Sequence, residues 1–131
     1  VDYYTATADS PLAYLSDMWA LHITNTGFRW TNVAPRGKLQ PSPRWQTGDA
    51  VAFERSMVIF GGDDQTTNGV GGLGDLWVYS PRGSSSRLQP QDAWQEDEWK
   101  SYERGGQHPG ERREPSLTMV NATLVLQGGR V

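Results

Sequence analysis

Two segments of this chain share one pattern, and that repetition limits the fold more than any other feature of the sequence. "VAFERSMVIFGG" (51–62) and "SLTMVNATLVLQGG" (116–129) each contain an apolar run, a polar turn, a second apolar run and a pair of glycines. Two short apolar runs separated by a polar turn are typical of a β-hairpin. The recurrence indicates copies of one supersecondary unit, which must stack on its neighbours to bury its apolar faces.

The repeat continues on both sides of each hairpin. Arg44 lies seventeen residues before Gly61, and Arg112 lies sixteen residues before Gly128. Gly62 and Gly129 complete the two glycine pairs, and the second apolar run ends at each pair. Glycine at a strand end permits positive φ or a close backbone approach.

A D-x-W motif also occurs twice. Asp17 and Trp19 in "SDMWALHI" correspond to Asp75 and Trp77 in "GDLWVYSP". Both segments are rich in aromatic and apolar residues without a helical period, which predicts strands.

A second tryptophan strand follows each D-x-W strand. Trp30 lies in "FRWTNVA" and Trp99 in "EWKSYER", with Trp94 as a rival for the second position. The longer spacing in the second copy matches a Ser-, Pro- and Gln-rich segment at 81–91, which we interpret as a surface insertion. Trp99 is preferred because it lies thirteen residues before Arg112, close to the fourteen residues that separate Trp30 from Arg44.

The pattern predicts an all-β chain. Strands are expected near 17–23, 28–33, 47–53, 56–61, 75–80, 98–103, 116–120 and 123–127. In "MVIF" (57–60), residues that point to opposite sides of a strand are all apolar, so other layers should cover both faces.

Composition excludes several classes of function. The 131 residues suit one domain, and 15 Gly and 8 Pro favour short strands and turns over long helices. A net charge of −3 with scattered basic residues gives no footprint for nucleic acid, and no run is long and apolar enough for membrane insertion. The chain has no cysteine, which excludes disulfides, cysteine-based zinc sites and a cysteine nucleophile.

The order of these motifs resembles the kelch repeat. The resemblance rests on "RSMVIFGG", "GDLWVYSP" and "EWKSYER", with "LVLQGG" and "PGERREPS" as a second copy. It implies four-stranded blades of a β-propeller, in which the glycine pair closes the second strand and aromatic residues pack between blades. Residues 1–131 would form a partial propeller: 16–33 the outer strands of one blade, 44–103 a full blade with the insertion, and 109–129 the inner strands of a third.

Two blades' worth of strands should not be a complete fold. Propellers close with about four to eight blades. We therefore expect the outward faces of Trp19, Leu21, Leu117 and Met119 to lack cover here. Other protein chains, or remaining blades in further sequence, should supply it.

Motifs with catalytic or ligand-binding chemistry are weak. Gly69, Gly71 and Gly74 spell G-x-G-x-x-G, but a nucleotide loop must open a helix, and these glycines precede a strand. We interpret them as a flexible spacer and predict no nucleotide binding there. No catalytic, cofactor-binding or metal-binding residue is assigned.

Acidic residues and histidines do not form a recognisable metal motif. Asp63, Asp64 and Asp75 lack the D-x-D-x-D-G spacing of a calcium loop, and we expect the first two to be solvated. His22 and His108 are far apart in sequence and share no ligand spacing.

Asn121 begins an N-x-T sequon at the turn of the last hairpin, where an N-linked glycan would be accessible. The first hypothesis is therefore a non-catalytic kelch propeller that binds proteins or a glycan within an extracellular or cell-surface glycoprotein. One alternative is an intracellular, cytoplasmic kelch adaptor such as a ubiquitin-ligase substrate receptor. A second is a fragment of a kelch-type oxidase or sugar-modifying enzyme, whose radical-copper site would need a cysteine from outside this segment.

Overall fold

The described part of the chain is built from antiparallel β-strands. The structure, a computed structural model, describes residues 14–64, 66, 71–81, 98–102 and 106–131. In these residues the strands are β1 (Met18–Thr24), β2 (Gly27–Val33), β3 (Arg44–Trp45), β4 (Val51–Phe53), β5 (Ser56–Asp64), β6 (Leu73–Ser80), β7 (Glu98–Tyr102), β8 (Ser116–Val120) and β9 (Thr123–Gln127). No helix occurs among the described residues, which confirms the all-β prediction.

Strand positions follow the predicted pattern with three differences. β4 begins at Val51 and not near 47, because Gln46 and Gly48 have positive φ and interrupt the extended backbone. β5 continues to Asp64, past the predicted end at 61. The short β3 was not predicted. The insertion at 81–91, apart from Pro81, and Trp94 lie outside the described residues.

The central sheet is an antiparallel meander of four strands in the order β4, β5, β6, β7. β3 pairs with the far end of β5, where Arg44 lies opposite Asp64. The register of β5 and β6 shifts between Phe60 and Gly62. Such an irregularity bends the strand locally, and here it separates the long paired part of β5 from the end that meets β3.

One face of the central sheet carries the aromatic core. Trp77, Tyr79 and Trp99 are buried together, with an edge-to-face contact between the two tryptophans at 6.5 Å and 84°. Met18 and Val33 of the β1–β2 hairpin pack against this cluster. Aromatic pairs in such geometry add about 0.5–1.5 kcal/mol beyond the area that they bury.

The opposite face of the central sheet meets the β8–β9 hairpin. Val58 and Phe60 are buried on this face. Leu76 and Tyr102 line the clefts between this sheet and Leu124. β5 is therefore covered on both faces, as its two-sided apolar pattern predicted.

The expectation of exposed Leu117 and Met119 is wrong. Leu117 is buried and Met119 is half-buried. Leu117 pairs with Leu126, and Met119 with Leu124. Because paired residues share one face of a hairpin, all four lie on the face that packs against the central sheet.

Candidate interaction site

Arg44 connects three segments at one end of the central sheet. Its Nη1 donates hydrogen bonds to the carbonyl oxygen of Gly61 at 3.0 Å and to Oδ1 of Asp75 at 2.8 Å. Nη2 donates to Oδ2 of Asp75 at 2.9 Å, and Nε to the carbonyl oxygen of Ser42 at 3.1 Å. The guanidinium therefore holds the carboxylate with two parallel bonds, the geometry in which arginine binds carboxylates most specifically.

Asp75 is held in its charged form by these contacts. Burial raises the pKa of Asp75, but the hydrogen bonds from Arg44 and Trp77, together with the charge of Arg44, outweigh it, and the pKa lies below the ordinary value of 3.8. The side chain of Arg44 is 6% exposed and that of Asp75 is 35% exposed. The pair is a partly buried structural bond that fixes the start of β6 against β5.

Arg112 repeats part of this arrangement on the last hairpin. Its Nε donates to the carbonyl oxygen of Gly110 at 3.1 Å, and its Nη1 donates to that of Gly128 at 2.8 Å. Arg44 makes the equivalent bonds to the residue two positions earlier and to the first glycine of its pair. Among the described residues, however, no carboxylate is bound to Arg112.

The two D-x-W motifs also have the same local geometry. The indole Nε1 of Trp19 donates to Oδ2 of Asp17 at 2.7 Å. The indole Nε1 of Trp77 donates in the same way to Oδ2 of Asp75. Asp17 comes directly before β1, and Asp75 is the third residue of β6.

The second tryptophans occupy equivalent places in the register. Trp30 lies opposite Leu21 across β1 and β2, and Trp99 lies opposite Tyr79 across β6 and β7. Leu21 and Tyr79 each stand two residues after a D-x-W tryptophan. The two tryptophans differ in burial: Trp99 lies in the core, whereas Trp30 is exposed.

The glycine pairs adopt backbone conformations that disfavour other residues. All four have positive φ: 66° for Gly61, 103° for Gly62, 69° for Gly128 and 90° for Gly129. A Cβ on Gly61 would lie 2.5 Å from the carbonyl oxygen of Arg112 and 2.9 Å from that of Leu73. The expected close backbone approach at Gly61 is therefore present, but the expected position is wrong: Gly61 and Gly62 lie inside β5, at its register shift, and not at its end.

The expectation that Asp63 and Asp64 are solvated is wrong. Asp63 is fully buried and accepts an ion-pair contact from Arg113 at 3.3 Å. Asp64 accepts hydrogen bonds from Ser42 and Thr66. Burial raises the pKa of Asp64, but these bonds outweigh it and the net shift is downward. Both residues belong to the extended end of β5, so they anchor neighbouring segments.

The G-x-G-x-x-G segment leads into a strand, as predicted from its sequence. β6 begins at Leu73, and Gly74 lies inside it and is buried. Gly71 has positive φ with open space around it, and Gly69 lies outside the described residues. The interpretation as a flexible spacer is wrong for Gly74, because β5 and β6 are longer than expected and the connection between them is correspondingly shorter.

The histidines have local hydrogen-bond partners. Nε2 of His22 and Oγ1 of Thr31 are 2.8 Å apart, and Nδ1 of His108 is 2.9 Å from the carbonyl oxygen of Pro109. Within the described ranges, no group of three or more metal-ligating side chains is brought together. In the same residues, no helix is long and apolar enough to cross a membrane.

Asn121 lies in the turn between β8 and β9 and is exposed. Its φ of 55° is in the left-handed region, which asparagine tolerates better than most residues. The equivalent turn residue of the first hairpin, Glu54, has a φ of 53°. The acceptor nitrogen of the sequon is therefore on an accessible turn.

An apolar surface covers the outward face of the β1–β2 hairpin. Its members are Trp19, Leu21, Ile23, Phe28 and Trp30, which are between 40% and 76% exposed. Strand pairing places Leu21 opposite Trp30 and Ile23 opposite Phe28, so the five side chains form one continuous patch. We call this patch the β1–β2 outer face. It confirms the expectation that Trp19 and Leu21 lack cover.

Two contacts that join the central part of the chain to the segment at 113–117 were missed by sequence reasoning. Arg113 binds the buried Asp63, and the carboxylate of Asp49 accepts hydrogen bonds from Ser116 and from the backbone of Leu117. These residues have no motif of their own. The only sequence signal was their place next to the repeated arginine and next to the hairpins.

Comparison with known proteins gives no relative: no protein-family model, curated protein or solved structure matches the chain.

Proposed function

We propose that the chain is a non-catalytic interaction module, a partial kelch-type β-propeller that functions by packing and binding against other proteins. The β1–β2 outer face carries this proposal. Soluble monomers rarely expose a continuous apolar patch of several large side chains, and such patches mark interaction sites. Trp19 and Trp30 are of a residue type that dominates binding energy in interfaces, and phenylalanine, as at Phe28, is enriched in interface cores.

The charged groups support a structural role over a catalytic one. Arg44 and Asp75 bind each other, and Arg113 binds Asp63. Each of these contacts joins backbone segments that are distant in sequence. These ion pairs hold the layers of the fold in register, and this structural role is sufficient to explain the four charged side chains.

A photo-crosslinking experiment tests the interaction surface. A photoreactive amino acid at Ile23 should give cross-linked protein products when the chain is expressed in secreting eukaryotic cells, because this side chain is 73% exposed on the apolar face. The matched control is the same substitution at Gln107, which is exposed in the loop after β7 and outside both hairpins. Absence of protein products from Ile23, or equal yield from both positions, would overturn the proposal.

The glycan test addresses localisation to the extracellular space or cell surface. Asn121 in natively purified protein should carry an N-linked glycan, because the sequon lies on an exposed turn. An amidase that removes N-glycans should convert Asn121 to aspartate in the peptide mass spectrum, and Asn121→Gln should remove the glycan. An unmodified Asn121 in protein from its native source would instead favour the intracellular kelch adaptor.

A further inference from the structure

We propose that two copies of this chain join edge to edge through β9 of one copy and β1 of the other. The β8–β9 hairpin and the β1–β2 hairpin would then form one four-stranded antiparallel sheet. This inference rests on the proposed function, because it identifies the protein that covers the β1–β2 outer face as a second copy of the same chain.

The β8–β9 hairpin has the backbone of the first half of the central sheet. Glu54 and Asn121 have φ values of 53° and 55° in the two hairpin turns, and Gln46 and Glu114 have φ values of 52° and 51° two residues after the repeated arginines. The glycine pairs match as well. β8–β9 is therefore a copy of β4–β5.

The β1–β2 hairpin similarly copies the second half of the central sheet, β6–β7. Both halves begin with an indole bound to an aspartate two residues earlier. Met18 pairs with Val33, as Leu76 pairs with Tyr102. In the central sheet the two halves are joined by pairing of β5 with β6. Within the described residues, the corresponding edges of β9 and β1 have no strand partner.

The known pairing gives the register of the proposed junction. Ile59 lies opposite Trp77 in the central sheet. The equivalent residues are Leu126 and Trp19, so Leu126 of one copy should lie opposite Trp19 of the second copy. By the same transfer, Val125 should lie opposite Ala20.

Charge complementarity supports the same junction. In the central sheet, Arg44 binds the carbonyl oxygens of Ser42 and Gly61 and both carboxylate oxygens of Asp75. Arg112 makes the carbonyl bonds but has no carboxylate partner in the described residues. Asp17 is bound by its tryptophan, and no arginine is bound to it in those residues. A second copy placed by the register would bring Asp17 to Arg112.

The junction would also cover the apolar patch. Met18 and Val33 cover the core tryptophans of the central sheet. Their register equivalents are Leu76 and Tyr102, and Tyr102 is still 39% exposed. In the joined copies these two side chains would lie over Trp19 of the second copy. The exposed surfaces of one copy are thus matched by those of another.

Head-to-tail contacts of this kind form closed rings when the rotation between copies permits. Sedimentation equilibrium of residues 1–131 should show an assembly of two or more copies. A monomer at every accessible concentration would overturn the inference.

A charge-reversal cycle tests the proposed ion pair. Arg112→Asp and Asp17→Arg should each weaken association by on the order of ten-fold or more, because each places like charges together. The double variant, with both charges exchanged, should recover most of the association. Arg29→Asp, a charge reversal on exposed β2, is the matched control and should leave association unchanged. Equal weakening by all variants without recovery would contradict the pair.

A cysteine pair tests the register, since the chain has no native cysteine. Ala20→Cys with Val125→Cys should form disulfide-linked oligomers under mild oxidation, whereas Ala20→Cys with Thr118→Cys should not. If neither pair links, or both link equally, the strand junction is wrong. Cross-links from Ile23 only to a different protein would also overturn this inference, while leaving the proposed interaction function intact.

Discussion

Replacing Arg44 by methionine should lower the free energy of unfolding far more than the same change at Arg112. Arg44 is nearly fully buried and binds both oxygens of Asp75, while Asp75 is about one-third exposed. Breaking a buried ion pair costs about 3–5 kcal/mol. Because water reaches part of Asp75, we reduce this figure to about 2–3 kcal/mol.

Arg112 provides a matched comparison within the same molecule. Its bonds to the carbonyl oxygens of Gly110 and Gly128 are in an exposed position. Hydrogen bonds of this kind contribute about 0.5–1.5 kcal/mol, and exposure places Arg112→Met at the low end of that range. The two arginines make equivalent carbonyl contacts, so the difference between the two losses reports the carboxylate partner together with the deeper burial of Arg44 and its bond to Oγ of Ser42.

Urea denaturation followed by tryptophan fluorescence measures both losses. The chain concentration must be the same for all variants, since assembly would change the apparent stability. Arg44→Lys should recover only part of the stability, because lysine cannot make two parallel bonds. Equal losses at the two arginines, or a larger loss at Arg112, would refute the interpretation of Arg44 and Asp75 as a structural lock.

Three further predictions concern the glycine pair, the carboxylate of Asp75 and the turn of the last hairpin. Gly61→Ala should destabilise the chain by about 2–4 kcal/mol in the same urea assay, because a Cβ collides with backbone oxygen, whereas Gly71→Ala, with positive φ but open space, should cost about 1 kcal/mol. Stability should fall as the pH drops through about 4 toward the lowered pKa of Asp75, because the unfolded chain binds a proton that the folded chain resists. Asp75→Asn should remove part of that slope, and an unchanged slope would contradict the assignment. Asn121→Val should cost about 1 kcal/mol, while Asn121→Gly should be neutral or stabilising, as measured by thermal unfolding, because φ is positive there.

Local pattern was sufficient to predict most of the strands. The strands at 116–120 and 123–127 have the predicted bounds, because alternation and a two-residue turn determine this hairpin without help from distant residues. The D-x-W and glycine-pair motifs were also informative, since each involves contacts between residues close in sequence or a constraint on one backbone angle.

Contacts between distant segments could not be predicted in this way. β3 has only two residues and exists because it pairs with Asp63 and Asp64 at the end of β5. Burial of Asp63 depends on Arg113, fifty residues later in the chain. Leu117 and Met119 were placed on the wrong face because an alternating strand does not indicate which of its faces meets the neighbouring layer.

Isotope-filtered NMR tests most directly the claim that the two terminal hairpins are halves of the same four-stranded unit. A sample that mixes labelled and unlabelled chains reports only contacts between copies. The account predicts nuclear Overhauser effects between Leu126 of one copy and Trp19 of another, and between Val125 and Ala20. If these are absent while the chain is assembled, or if the assembled chain shows contacts through other strands, the account of the repeat is contradicted.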